Sequence, residues 1–148
     1  MPLNHNDFLG RLLSNPENAR RGEWDLALTR WVPDWFGDNN GRSGIAPLFD
    51  GRYFGQNTSN YGGYQNREVD ATIDRANTAR SVELAEQAWN DAAQQVMNDV
   101  AIIPVAEYKT PYARSRRVRG CTWSVLGLDC DPTALWLANA TSKSGGSR

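Results

Sequence analysis

A mixed domain, α/β or α+β in class, is what the order of local patterns predicts. Three observations carry that expectation: a period-two stretch beginning at Glu23, two amphipathic helices separated by a short break, and short apolar extended runs after them. At 148 residues the chain is the size of one ordinary domain, large enough to bury a core.

Phe8, Leu9, Leu12 and Leu13 recur at helical spacing, so 6–14 reads as a short amphipathic helix, broken by Asn15-Pro16-Glu17-Asn18. Trp24, Leu26 and Leu28 then alternate with Asp25, Ala27 and Thr29, the pattern of a half-buried strand over 23–29. Pro33 removes a backbone donor and stops it. Residues 37–63 are rich in Gly, Asn, Asp and Ser around the apolar island Ile45-Ala46-Pro47-Leu48-Phe49, and predict a long irregular stretch. Asn66 is a suitable N-cap for a helix whose face is Val69, Ile73 and Ala76. Ser81 caps the next, with Ala85, Ala88, Trp89, Ala92 and Val96 as its stripe and Asn98-Asp99 as its end. Residues 101–106 read as an edge strand holding Pro104, and 108–112 and 118–125 as extended. Asp131-Pro132 opens a short helix through Leu137, and 141–148 is a flexible tail.

Sixteen basic residues against seventeen acidic ones, a net charge of −1, argue against a chain built to coat nucleic acid or an anionic membrane. The first twenty residues lack the basic start, apolar stretch and cleavage site of a secretory signal. The single histidine, His5, near the chain terminus, leaves no pair to hold zinc and weakens the case for a serine or cysteine nucleophile with a histidine base. No Gly-rich phosphate loop occurs; Tyr61-Gly62-Gly63-Tyr64 is a turn, and no cofactor is expected. Cys121 and Cys130 are nine positions apart, open to a disulfide or to two quiet thiols.

The informative stretch is acidic and aromatic. Between Glu23 and Asp50 lie five carboxylates (Glu23, Asp25, Asp34, Asp38, Asp50) against Arg30 and Arg42, with Trp24, Trp31 and Trp35 among them. A carboxylate beside indole rings suits a cationic ligand group, since it pairs with the charge while the rings exclude water and attract the cation. The plainer reading makes Trp24 core and Asp34 and Asp38 turn residues. Two alternatives belong to other classes: a carbohydrate-active enzyme using Asp34 and Asp38 as its carboxylate pair, and a nucleic-acid module using Lys109 and the Arg114, Arg116, Arg117, Arg119 run. On exposed strand edges such cations more often discourage pairing. Asn57-Thr58-Ser59 and Asn139-Ala140-Thr141 match the glycosylation tripeptide.

Gly22-Glu23-Trp24-Asp25-Leu26-Ala27-Leu28, then Trp31-x-x-Asp34, then Pro47-Leu48-Phe49, resemble the C-terminal part of the oligopeptide-, dipeptide- and nickel-type solute-binding proteins of ABC importers. Asn60-Tyr61, Asn66-x-Glu68-Val69-Asp70-x-x-Ile73-Asp74, the stretch from Glu86 to Asp99 and Ile102-Ile103-Pro104-Val105 follow in the same order, so the resemblance runs from about Phe8 to Leu137. It implies an α/β, periplasmic-binding-protein-like fold of two lobes closing on a solute, extracytoplasmic and without catalysis. The chain would be a C-terminal fragment over 1–140: a second-lobe segment with the cleft loop over 6–99, and a segment over 100–138 returning toward the first lobe.

In peptide-binding members the Asp of Trp-x-x-Asp pairs with the peptide α-ammonium. That role falls on Asp34, with Trp31 as a cleft aromatic and Trp35 beside it. The implied partners are a peptide or another amine-bearing solute and the ABC permease subunits, and no nucleic acid. Family members are several times longer and start with an export signal. Residues 100–137 would then lack their packing partners, so that the truncated chain would expose apolar surface, self-associate or fold only in part. The loop 37–44 has no counterpart in the resemblance, and no ligand cluster supports nickel.

Overall fold

The computed structural model describes all residues except 1–3, 56–57, 110, 123, 125–129 and 139–148. It divides into two units, Met1–Val105 and Ala106–Arg148. The tail at 141–148 and both glycosylation asparagines, Asn57 and Asn139, lie outside the described residues.

The first unit is built on a helical hairpin, α4 (Arg67–Asn77) and α5 (Val82–Asn98). Each helix starts where its cap dictates. The Asn66 side chain accepts from the Glu68 and Val69 amides, and Ser81 accepts from Leu84, satisfying donors a helix start leaves orphaned. Val69, Ile73 and Ala76 on α4 meet Ala85, Ala88, Trp89, Ala92 and Val96 on α5, all buried. Three alanines on one stripe present little side-chain bulk to Val69 and Ile73, and burying each larger residue is worth about 1.5–3 kcal/mol. Thr72, also buried, donates to the Glu68 carbonyl at 2.8 Å and lies 3.3 Å from Gln95 Oε1, so its hydroxyl is not left bare. Both helices match the sequence expectation. α5 ends with the Ala101 amide bonded back to the Val96 carbonyl at 3.2 Å, which forces Val100 into the left-handed region at φ 54°.

Ahead of the hairpin, Asp7–Leu13 forms a π-helical turn in which the Ser14 amide bonds the Leu9 carbonyl at 2.9 Å. Asn15 does break it, but its side chain caps a new helix, α1 (Pro16–Arg20), that the sequence reading did not include. Asn18, buried, donates to the Arg11 and Leu12 carbonyls at 2.9 and 3.1 Å, closing the open end of the turn.

The strand expected over 23–29 does not form. Residues 24–32 make no backbone–backbone hydrogen bond among the described residues, and Leu26 and Leu28 are 84% and 79% exposed. Alternation specifies which face of a strand would be buried; it does not supply the ladder that makes a strand. The edge strand expected over 101–106 is likewise unpaired, with Ile103 and Val105 exposed and Pro104 without a donor. Conversely, 37–63 is more regular than its composition suggests, holding α2 (Gly41–Gly44), α3 (Ala46–Phe49) and a 3₁₀ turn (Gly51–Tyr53). Ala46 is buried in the hairpin core, and Ile45, Phe49 and Tyr64 pack against it.

A polar knot ties this segment to α4. Asp50, 2% exposed, accepts from Arg52 Nη2 at 2.7 Å, Arg52 Nε at 2.8 Å and the Arg52 amide at 2.9 Å. Arg52 also reaches Asp74 at 2.9 Å, while Asp70 accepts from the Gly51 amide at 2.8 Å. Buried Asn60 bridges the Asp50 and Tyr64 carbonyls. Burial alone would push the Asp50 carboxyl up, but the Arg52 hydrogen bonds and charge outweigh it and hold the carboxyl below its ordinary value. The Tyr64 hydroxyl donates to Asp99 at 2.6 Å; burial, then that carboxylate, push the phenol up to about 12. Asp99 is lowered in turn by Tyr64 and by Asn66.

In the second unit β1 (Val118–Arg119) pairs antiparallel with β2 (Trp136–Leu137), Val118 facing Leu137 and Arg119 facing Trp136. The helix expected through Leu137 shortens to a 3₁₀ turn at Pro132–Ala134. Asp131 accepts from both the amide and the hydroxyl of Thr133, which completes the turn, and Trp136 and Leu137 pair with β1. Of the extended stretches expected at 108–112 and 118–125, Val118–Arg119 forms a strand, and Thr110, Trp123 and Val125 lie outside the described residues. Cys121 and Cys130 are joined in a disulfide.

Asp50 and Asp99 bind protons more weakly folded than unfolded, so their contribution is complete above the unfolded carboxylate value of about 4 and is lost as pH falls through the lowered folded values. The melting temperature followed by circular dichroism should therefore hold between about pH 5 and 7 and fall below about pH 4, and Asp50→Asn should flatten that fall. Val100 is exposed and left-handed, so Val100→Gly should raise stability by roughly 0.5–1 kcal/mol in urea unfolding.

Candidate functional site

Asp34 sits on a loop, 31–40, that leads into α2, and side chains of the hairpin brace that loop and α2. Asn39 takes φ 57°, a left-handed conformation that Asn tolerates better than most residues. There its amide donates to Glu86 Oε1 at 2.6 Å and its side-chain oxygen accepts from Trp89 Nε1 at 2.6 Å. One residue thus fixes the loop to α5 at two points. Gly41 lies so close under the Trp89 indole that a Cβ there would overlap the ring. Arg42 reaches the Asn77 side chain at 3.1 Å and the Asn77 carbonyl at 3.4 Å, anchoring α2 to the end of α4.

Ser43, buried, then organises the acidic and aromatic residues. Its hydroxyl accepts from the Asp34 amide at 3.0 Å, and its carbonyl accepts from Trp31 Nε1 at 2.7 Å. Trp35 Nε1 donates to the Asp38 carbonyl at 3.2 Å. Both indole N–H groups are therefore spent on backbone, and what Trp31 and Trp35 offer a ligand is ring surface. Trp31 is 38% exposed and Trp35 half-buried. The Asp34 carboxylate is exposed and forms no ion pair or side-chain hydrogen bond among the described residues.

The loop thus holds Trp31 and Asp34 through one serine and Trp35 nearby in the chain. The other candidates disperse. Asp50 is the buried partner of Arg52 and takes no part in an acidic surface. Glu23 pairs with Arg21 at 3.2 Å. Trp24 is half-buried, with its Nε1 enclosed and unbonded. Asp38 is exposed, as Asp34 is. Two grooves lie elsewhere on the first unit: one of about 320 Å³ lined by residues including Arg75, Leu84 and Asp91, and one of about 290 Å³ lined by Asp7, Arg11, Leu12, Asn18 and Glu23.

In the second unit Arg114, Arg116, Arg117 and Arg119 are exposed. Arg117 Nε donates to the Ala138 carbonyl, Arg119 to the Arg116 and Val118 carbonyls, and Arg114 lies 3.8 Å from Cys130 Sγ. Those bonds shape the local turn. Among the described residues no group of His, Cys, Asp or Glu is arranged to hold a metal. None of their helices is long and apolar enough to cross a membrane.

The sequence reading missed Ser43, Asn39, Glu86 and Gly41. Asn39-Asn40-Gly41 was a legible signal, since that composition marks a left-handed turn. Nothing in the spacing pointed to Ser43 or Glu86, which act on the loop across 9 and 47 residues.

Comparison of the chain with models of known protein families, with curated proteins and with solved structures returns no match. Because the loop rests on the Trp89 ring, Gly41→Ala should destabilise the first unit by about 1–3 kcal/mol in urea unfolding and broaden the emission of its tryptophans.

Proposed function

We propose that this chain is the C-terminal portion of an extracytoplasmic solute-binding protein of an ABC importer, in which Asp34 receives the ammonium group of a peptide or another amine-bearing solute. Trp31 and Trp35 line the site, and the lobe they belong to hands the solute to the permease subunits without catalysis. The observation that carries this reading is the state of Asp34: an exposed carboxylate without a partner among the described residues, on a loop braced by α5, next to Ser43-bound Trp31. An ammonium ion gains from such a carboxylate the Coulomb attraction and hydrogen bond that no internal cation already supplies. The indole faces add cation–π attraction and displace water.

Bracing adds to this, because a backbone held before binding leaves less entropy to lose when the side chain pairs. The Cys121–Cys130 disulfide supports an oxidising compartment, where such receptors operate. One exposed wall of a cleft gives weak binding, since an exposed ion pair is worth at most about 1 kcal/mol.

The test is an amide and indole ¹⁵N–¹H titration with millimolar trialanine. The Trp31 and Trp35 indole resonances and the Asp34 amide should shift, N-acetylated trialanine should leave them in place, and Asp34→Asn should weaken the response roughly three- to fivefold. An equal response to the acetylated peptide, an unchanged response in Asp34→Asn, or no shift at all would overturn the assignment.

A further inference from the structure

The groove at the tip of the α4–α5 hairpin is built from both helices and the turn between them. Its floor holds Ala88, which belongs to the hairpin core, and Ala79, which packs against that core. Alanine at both places leaves a hollow that larger side chains would fill. Leu84, 53% exposed, stands one turn before Ala88 on the same face of α5 and gives the groove an apolar wall. At about 320 Å³ the hollow is at the small end of ligand sites, which run from roughly 300 to 1,000 Å³.

The charges along this groove do not cancel. Arg75 Nη2 donates to Thr72 Oγ1 at 3.1 Å and lies 3.8 Å from the Asp91 carboxylate, so that cation and that anion offset each other. Arg80, exposed, has no ion pair or hydrogen bond among the described residues, and the Gln87 side-chain amide has no hydrogen bond there either. The adjacent acid, Glu83, is held at the helix start by its own amide and by Ser81, which lower its carboxyl, and it pairs with no cation among the described residues. One uncompensated positive charge therefore stands beside a hydrocarbon floor. An inorganic anion would use the guanidinium and leave the floor wet, and a hydrocarbon would use the floor alone; a carboxylate on a short aliphatic chain uses both. We propose that this groove is a ligand site for a small organic carboxylate. Arg80 receives the carboxylate in the two-pronged manner its planar fork favours, and the Gln87 amide adds a donor. The aliphatic part lies on Ala79, Leu84 and Ala88. The site takes the opposite charge from Asp34 and does not depend on what Asp34 binds.

The test is a nuclear magnetic resonance titration of the full chain with millimolar butyrate at fixed ionic strength. The Arg80 Nε–H, the Gln87 side-chain amide and the Leu84 methyl resonances should shift together. Butyramide keeps the aliphatic chain without the charge, and phosphate keeps a charge without the chain; each should shift them at least about threefold less. Arg80→Gln should weaken the butyrate response about three- to fivefold, and Leu84→Gln about twofold, with unchanged far-ultraviolet spectra because both side chains are exposed. N-acetylated dialanine presents the same group as a peptide end: tighter binding than butyrate makes a peptide C-terminus the source of the carboxylate, weaker binding a free acid, and either upholds the site. Absence of any shift, an equal response to phosphate (an adventitious ion only) or to butyramide, or an undiminished response in Arg80→Gln would overturn it. Butyrate carries no ammonium group, so failure here leaves the Asp34 assignment to its own test.

Discussion

The contact between Trp89 and the loop above it is the interaction on which the rest of the first unit depends. On its helix the indole belongs to the stripe that packs against Val69 and Ile73, so it is core. At its edge its N–H bonds Asn39, and its face carries Gly41, so it is also the floor of the loop that presents Asp34. An aromatic ring serves both ends because its body is apolar and its N–H is a single directed donor. Helix packing and loop geometry therefore rise and fall together, and the position of Asp34 is inherited from the α4–α5 seam.

That dependence explains which parts of the chain were legible. Helices α4 and α5 could be read closely because everything they need is local: Asn66 and Ser81 cap them, and the apolar positions recur on one face. The segment 23–29 carried an equally clean pattern and formed no strand, because a strand's hydrogen bonds lie with another segment and no alternation of residues provides one. The short helices in 41–53 escaped for the opposite reason. Gly-Arg-Ser-Gly has poor helix propensity, and what holds it is Arg42 on Asn77 and Gly41 on Trp89, both distant in sequence. Trp31 and Asp34 could be singled out from their side-chain chemistry alone, whereas the serine that orients both has none that distinguishes it from a surface residue.

The two acidic sites of the first unit show how a carboxylate's surroundings sort its role. Asp50 and Asp34 looked alike in sequence, two Asp residues at the end of short apolar stretches that hold an aromatic. Asp50 lies just before Arg52, which donates three hydrogen bonds to it and bridges on to Asp74. A buried carboxylate so paired has no charge to spend on a guest, and removing its arginine would strand a buried anion. Counting acidic residues from Glu23 to Asp50 stopped two positions short of the cation that settles the matter.

Asp34 has the reverse arrangement. The group bonded to Ser43 is its amide, so the backbone is fixed while the carboxylate is left to solvent. Satisfying an amide with a buried hydroxyl stabilises the loop wherever the acidic side chain points, and the fold gains little from an acid at this position beyond that amide. If stability alone governed the site, any residue tolerating the turn would serve, and a neutral one would cost less repulsion in a loop that also carries Asp38. An acid there, beside two indoles whose N–H groups are already occupied, carries a charge that no cation among the described residues neutralises, and that open charge is what the proposed ammonium ligand would pair with.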